Sequence, residues 1–121
     1  MINSVKIKIL FFVTIIITSC NHKNCSEISS KFTSYDEAIE LVQNSSFAIE
    51  EKVNTDSSWI DSIEYYSCDK LTGYLIINTK KGGSYIHENV PIQVWNEFEN
   101  AESYGRFYNQ NIKGNYYLEI N

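Results

Sequence analysis

From Ile60 to His87 the chain holds three β-rich runs whose only separators are Cys68-Asp69-Lys70-Leu71-Thr72-Gly73 and Lys80-Lys81-Gly82-Gly83. Parallel neighbours need a long crossover, so connections this short permit antiparallel pairing alone. Both separators carry turn chemistry, and the paired glycines of the second accept positive φ. The runs are Ile60 to Ser67, Tyr74 to Thr79 and Ser84 to His87. Because side chains alternate along a strand, Ile63 and Tyr65 share one face, and Leu75 and Ile77 oppose Tyr74 and Ile76. The expected arrangement is a meander.

Helical patterns flank it. Ser34-Tyr35-Asp36-Glu37 fits a capping box, and Tyr35, Ala38, Ile39 and Val42 follow at helical spacing as one apolar face. Phe47, Ile49, Glu51 and Val53 then alternate with Ala48, Glu50 and Lys52, which predicts a half-buried strand. Beyond the meander, Pro91 suits the first turn of a helix whose Val94, Trp95, Phe98 and Ala101 form its apolar face. Trp95 and Phe98 are expected to face Leu75 and Ile77, with Phe107 also in the core. Gly105 is placed to stop that helix. Phe107 to Ile112 reads as a short turn and Tyr116 to Ile120 as a final strand. A chain of 121 residues allows one domain. The fold class is α+β, a small antiparallel sheet of four or five strands packed with two main helices, over residues 32–121.

The opening residues are of another kind. Lys6 and Lys8 precede Ile9 to Ile17, apolar except for Thr14, and then come Thr18, Ser19 and Cys20. A positive start, a short apolar stretch and small residues before a cut describe a secretory signal. The stretch falls short of the roughly 20 residues that a transmembrane helix requires. Ile17-Thr18-Ser19-Cys20 resembles the bacterial lipoprotein signal, in which the cysteine becomes the first mature residue and carries acyl chains; Ile17 stands where leucine is usual. The reading is a signal peptide over 1–19, lipidation on Cys20 and a polar tether over 20–31. The first partner is thus a membrane, reached through the N-terminal lipid. No run of acids follows Cys20, which places the chain in the cell envelope facing the periplasm.

Removing residues 1–19 takes away two lysines and no acid, which moves the formal charge from −5 to −7. Nucleic-acid binders present a basic stripe, because phosphate neutralisation dominates their affinity. Here the acids are spread throughout, so nucleic acid is not the expected partner. Cys25 and Cys68 remain after Cys20 is assigned, in a compartment that permits disulfides. Sequence alone leaves open whether they pair or stay thiols.

From Ser57 onward the pattern resembles the KTSC domain family. The matching features are Ser58-Trp59-Ile60, Ile63-Glu64-Tyr65, the strand Tyr74 to Asn78, Gly83-Ser84-Tyr85-Ile86-His87, and Val90-Pro91 with the helix bearing Trp95. Most specific is Ala101-Glu102-Ser103-Tyr104-Gly105-Arg106-Phe107-Tyr108-Asn109, followed by Ile112. The resemblance implies a module over residues 57–117, with an N-terminal helix-strand extension ahead of it. The family's central Tyr-x-Tyr is Tyr85-Ile86-His87 here, so a role for the second phenol does not carry over. The family occurs as single-domain bacterial proteins and at the end of some lysyl-tRNA synthetases, and RNA binding has been suggested for it.

No residue constellation points to catalysis, a metal or a cofactor. His87 is a candidate base or ligand, but it stands alone apart from His22 in the tether. His22 and Cys25 have ligand-like spacing, yet zinc sites need further protein ligands. Asp61, Glu64 and Asp69 lie near a strand and turn without pairing by spacing. The candidate binding patch is Tyr85, His87, Tyr104, Arg106 and Tyr108, since interface cores favour Tyr and Arg. The expected function is a membrane-tethered, non-catalytic module with an unidentified protein partner. An RNA-binding module is the alternative through the family, and an enzyme centred on His87 ranks last.

Overall fold

The computed structural model describes residues 23–29 and 31–121. The expected signal peptide over 1–19, the expected lipidation site Cys20 and His22 lie outside the described residues. After a 3-10 turn, Cys25–Glu27, come α1 (Tyr35–Gln43), β1 (Ile49–Asn54), β2 (Ile60–Ser67), β3 (Thr72–Thr79) and β4 (Ser84–Pro91). Then follow α2 (Ile92–Glu99), α3 (Tyr104–Phe107) and a π-helical turn, Tyr108–Ile112. The four strands form one antiparallel sheet in the order β1-β2-β3-β4, so the fold is α+β.

Local chemistry sets the element ends. Ser34 Oγ accepts the Glu37 N–H at 3.1 Å, and the Glu37 carboxylate accepts the Thr33 N–H at 3.2 Å, so the start of α1 is capped from both directions. In the β2–β3 turn, Asp69 Oδ1 accepts the N–H groups of Leu71 and Thr72 at 2.8 and 2.9 Å while Lys70 takes φ 64°. Those backbone donors hold the Asp69 carboxyl below its usual range. Gly82 takes φ 94° in the β3–β4 turn.

The register aligns Glu51, Tyr65, Leu75 and His87 across the sheet. On this face Ile63, Tyr65, Leu75 and Ile77 pack with Val90, Trp95, Phe98, Tyr108 and Ile112. The Trp95 indole stacks on the Tyr65 ring at 5.2 Å and donates its Nε1–H to Glu51 at 2.7 Å. Tyr65 in turn donates its hydroxyl to Val90 O at 2.7 Å, and burial pushes the phenol up to about 12. The opposite face carries Ile76 and Ile86, covered by Phe32, Ala38, Val42 and Leu118. Glu64 also points to this side. Only 4% exposed, it accepts hydrogen bonds from Gln43, Tyr66 and Asn78, so neutral donors satisfy its buried oxygens.

Four sequence expectations need correction. Tyr116 to Ile120 is not a strand: His87 binds Tyr116 O, Glu88 accepts the Glu119 N–H, and a lone bridge joins Phe32 to Ile120. Side chains, not a ladder, take up that backbone. Pro91 precedes α2 instead of entering it, since its ψ of 145° is extended. Gly105 does not stop α2, which ends at Glu99, but lies inside α3. Tyr35 leaves the apolar face of α1 and is 54% exposed at the helix start.

Cys25 and Cys68 form a disulfide, with Cα atoms 5.8 Å apart. The bridge spans a sequence separation of 43, which in the chain-entropy model is worth roughly 4 kcal/mol. Mild reductant should therefore lower the urea midpoint of the purified domain markedly; an unchanged midpoint would show that the bridge does not constrain the unfolded chain. Trp95→Ala removes the Tyr65 stack and the indole's hydrogen bond to Glu51, and aromatic truncations of this kind cost about 3–5 kcal/mol. Denaturant unfolding should read that loss. A variant within a few tenths of wild type would place the indole outside the core.

Candidate functional site

β4 is an edge strand, so half of its backbone N–H and C=O groups point away from β3. Among the described residues, no backbone hydrogen bond outside the β3 ladder engages Ser84–His87. This stretch floors a groove of about 590 Å³. The start of α1 forms one wall with Ser34, Tyr35 and Asp36, and Tyr116–Leu118 form the other. Tyr35, Tyr85 and Tyr117 are 54%, 52% and 73% exposed there. By contrast, the other edge strand, β1, presents Glu50, Glu51 and Lys52 to solvent, charges that discourage strand pairing.

His87 sits at the groove's inner end and fastens three elements. Its Nδ1 lies 2.8 Å from Tyr116 O and its Nε2 3.0 Å from the Tyr108 hydroxyl. A carbonyl only accepts, so Nδ1 carries the proton and Nε2 accepts from Tyr108. Both ring nitrogens of the neutral side chain are thus engaged. Tyr108 is 6% exposed and sits against Tyr85, His87 and Trp59 at centroid distances of 6.4, 5.5 and 5.4 Å.

Across Tyr108 lies a second, more polar cleft of about 600 Å³, lined among others by Asp56, Ser57, Trp59, Tyr104, Arg106 and Asn109. Its floor requires Gly105, because a Cβ there would stand 2.6 Å from Trp59 Nε1. That close approach, not helix termination, is the reason for glycine. Tyr104 is half-buried and donates its hydroxyl to Glu99 O at 3.0 Å, whereas Arg106 is exposed.

The five residues grouped from the sequence therefore do not make one patch. Tyr85 and His87 line the β4 groove, Tyr104 and Arg106 the polar cleft, and Tyr108 is a buried partition between them. Sequence reasoning missed Tyr35, Tyr117 and Trp59 as lining residues. Trp59 stood within a quoted motif, but Tyr35 fitted a helical apolar face and Tyr117 a strand. Among the described residues, no three His, Cys, Asp or Glu side chains gather as a metal ion would need.

Partial burial of His87 predicts a pH response of the domain. Burial lowers its pKa below the usual 6.5, against the raising effect of the Tyr116 carbonyl. The unfolded chain then takes up this proton first as pH falls. Stability is full above 6.5 and declines as pH drops from there toward the lowered folded value. Urea midpoints should fall with acidification in that window for wild type and less steeply for His87→Gln. Equal slopes would mean that the ring titrates as it does in water.

The family model for the KTSC domain matches residues 56–116, a span holding β2, β3, β4, α2, α3 and the π-helical turn. Among solved structures, a KTSC domain protein from Yersinia pestis is 32% identical with a TM-score of 0.50, over 57% of this chain and 93% of that one. No curated protein matches the chain. With half the chain matched by the family model and a solved relative covered almost end to end, this chain belongs to the KTSC domain family.

Proposed function

We propose that the chain is a bacterial envelope lipoprotein, anchored by acyl chains on Cys20, whose KTSC domain is a non-catalytic protein-binding module. The observation that carries the binding half is the β4 groove, an unpaired strand edge set among three exposed tyrosines. An extended segment of a partner laid beside Ser84–His87 gains main-chain hydrogen bonds from the edge and side-chain contacts from the tyrosines. Tyrosine also offers large contact area with few rotors to immobilise. His87 works as a structural fastener, with neither nitrogen spare for proton transfer. The anchor half is supported by Lys6, Lys8, the apolar stretch and Ile17 to Cys20. RNA is the weaker partner, because Arg106 lies in the other cleft and the mature charge is −7, one cut away from the −5 of the full chain.

Affinity capture from gently solubilised membranes tests the site. The double change Tyr85→Ala with Tyr117→Ala should cut partner recovery by about tenfold or more, with the melting temperature held. Loss through Tyr104→Ala with Arg106→Ala instead would move the site to the polar cleft. Tight RNA binding that weakens steeply with salt would overturn the protein reading. A fatty-acid analogue should label the wild type but not Cys20→Ala, and an unlabelled, soluble wild type would remove the anchor.

A further inference from the structure

The bridge and the tether together fix which way the domain faces. Where the described chain begins, Ser46 N donates to Lys23 O at 2.9 Å, Cys25 N donates to Ser46 O at 2.9 Å, and Cys25 is joined to Cys68. Cys68 opens the β2–β3 turn, at one end of the sheet. Cys25 is five residue steps from Cys20, so a fully extended tether reaches at most about 18 Å. Ser84 and Tyr85, by contrast, pair with Asn78 and Ile77 near the far end of β3. Ile77 is six residue steps from Leu71, about 20 Å of extended chain. The polar cleft lies at that far end too, since Trp59 directly precedes β2 and its carbonyl accepts the Lys80 N–H at 2.9 Å.

We infer that the β2–β3 turn is the membrane-facing pole of the domain and that both clefts open away from the bilayer. This rests on lipidation of Cys20, as proposed above. The turn is suited to that place. Leu71 is 67% exposed, Lys70 is exposed beside it, and the Asp69 carboxylate is turned onto backbone N–H groups. An apolar tip next to a lysine matches the boundary between acyl chains and phosphate headgroups. The partner of this pole is the lipid surface itself, and the groove is left to meet a protein from the opposite side.

The full-length, lipidated chain should be reconstituted into phosphatidylethanolamine–phosphatidylglycerol vesicles that carry a photoreactive diazirine on the headgroup. After irradiation, peptide mapping should find adducts on residues 68–72 and 23–29 in several-fold excess over residues 82–87 and 116–118. Even labelling, or excess at 82–87, on chains that sediment with the vesicles overturns the orientation and leaves the anchor standing. Failure to sediment with vesicles removes the anchor and the orientation together. A long Gly/Ser insertion between Cys20 and Lys23 leaves the folded contacts intact and should even out the labelling. An unchanged pattern in that variant would overturn the claim that the short tether sets the orientation.

Discussion

Strand β3 buries three consecutive side chains, Leu75, Ile76 and Ile77, and consecutive side chains of a strand point to opposite faces. A sheet built around such a strand must be covered twice. Leu75 and Ile77 receive Trp95, Phe98 and Ile112 from the elements after the sheet. Ile76 receives Phe32, Ala38 and Val42 from those before it, with Leu118 from the tail. The family's matched span ends at residue 116 and starts at 56, so it supplies the first cover only. The extension ahead of the module is thus part of the fold's closure, and the disulfide from Cys25 to Cys68 pins the beginning of that extension to the sheet it covers.

Polar groups between these layers and at their rim are held by directional bonds. Glu64 meets a helix residue, Gln43, and two sheet residues, Tyr66 and Asn78. Burial raises the Tyr66 phenol well above its usual value, and the adjacent carboxylate adds to the shift. Glu51 ties the edge strand β1 to α2 through Trp95, and beside it Glu99 is raised, first by burial and then by the charge and hydrogen bond of Glu51. Ridges of apolar side chains alone tolerate sliding between layers. Paired polar groups at fixed positions oppose it, because a shifted register leaves a buried acceptor without its donor.

How far the sequence could be read follows from how local each cause is. The strands and turns of the meander were legible because alternation and turn residues act within a few positions, and the Ser34 cap is equally local. The Cys25–Cys68 pairing was not, since it depends on distance in space between segments far apart in the chain. Gly105 was misread for a related reason: its neighbour Trp59 is 46 positions earlier, so no local pattern reveals the contact. The tail had strand-like composition but found His87 and Glu88 where a ladder partner would be. The binding patch failed as a unit because Tyr108 was drawn into the core and divided the residues expected around it.

The β4 groove has a floor and a lip of different provenance. Ser84–His87 belong to the matched family span and are locked to β3 by ladder hydrogen bonds, whereas Tyr35 and Tyr117 fall outside that span and are more than half exposed. Substitutions at exposed positions of this kind usually change stability by no more than about 0.5 kcal/mol. The lip can therefore be rewritten by mutation while the frame beneath it stays intact. Chains that share the floor are under no structural obligation to share the lip, so kinship in the module fixes the frame of the groove and leaves its rim free to vary.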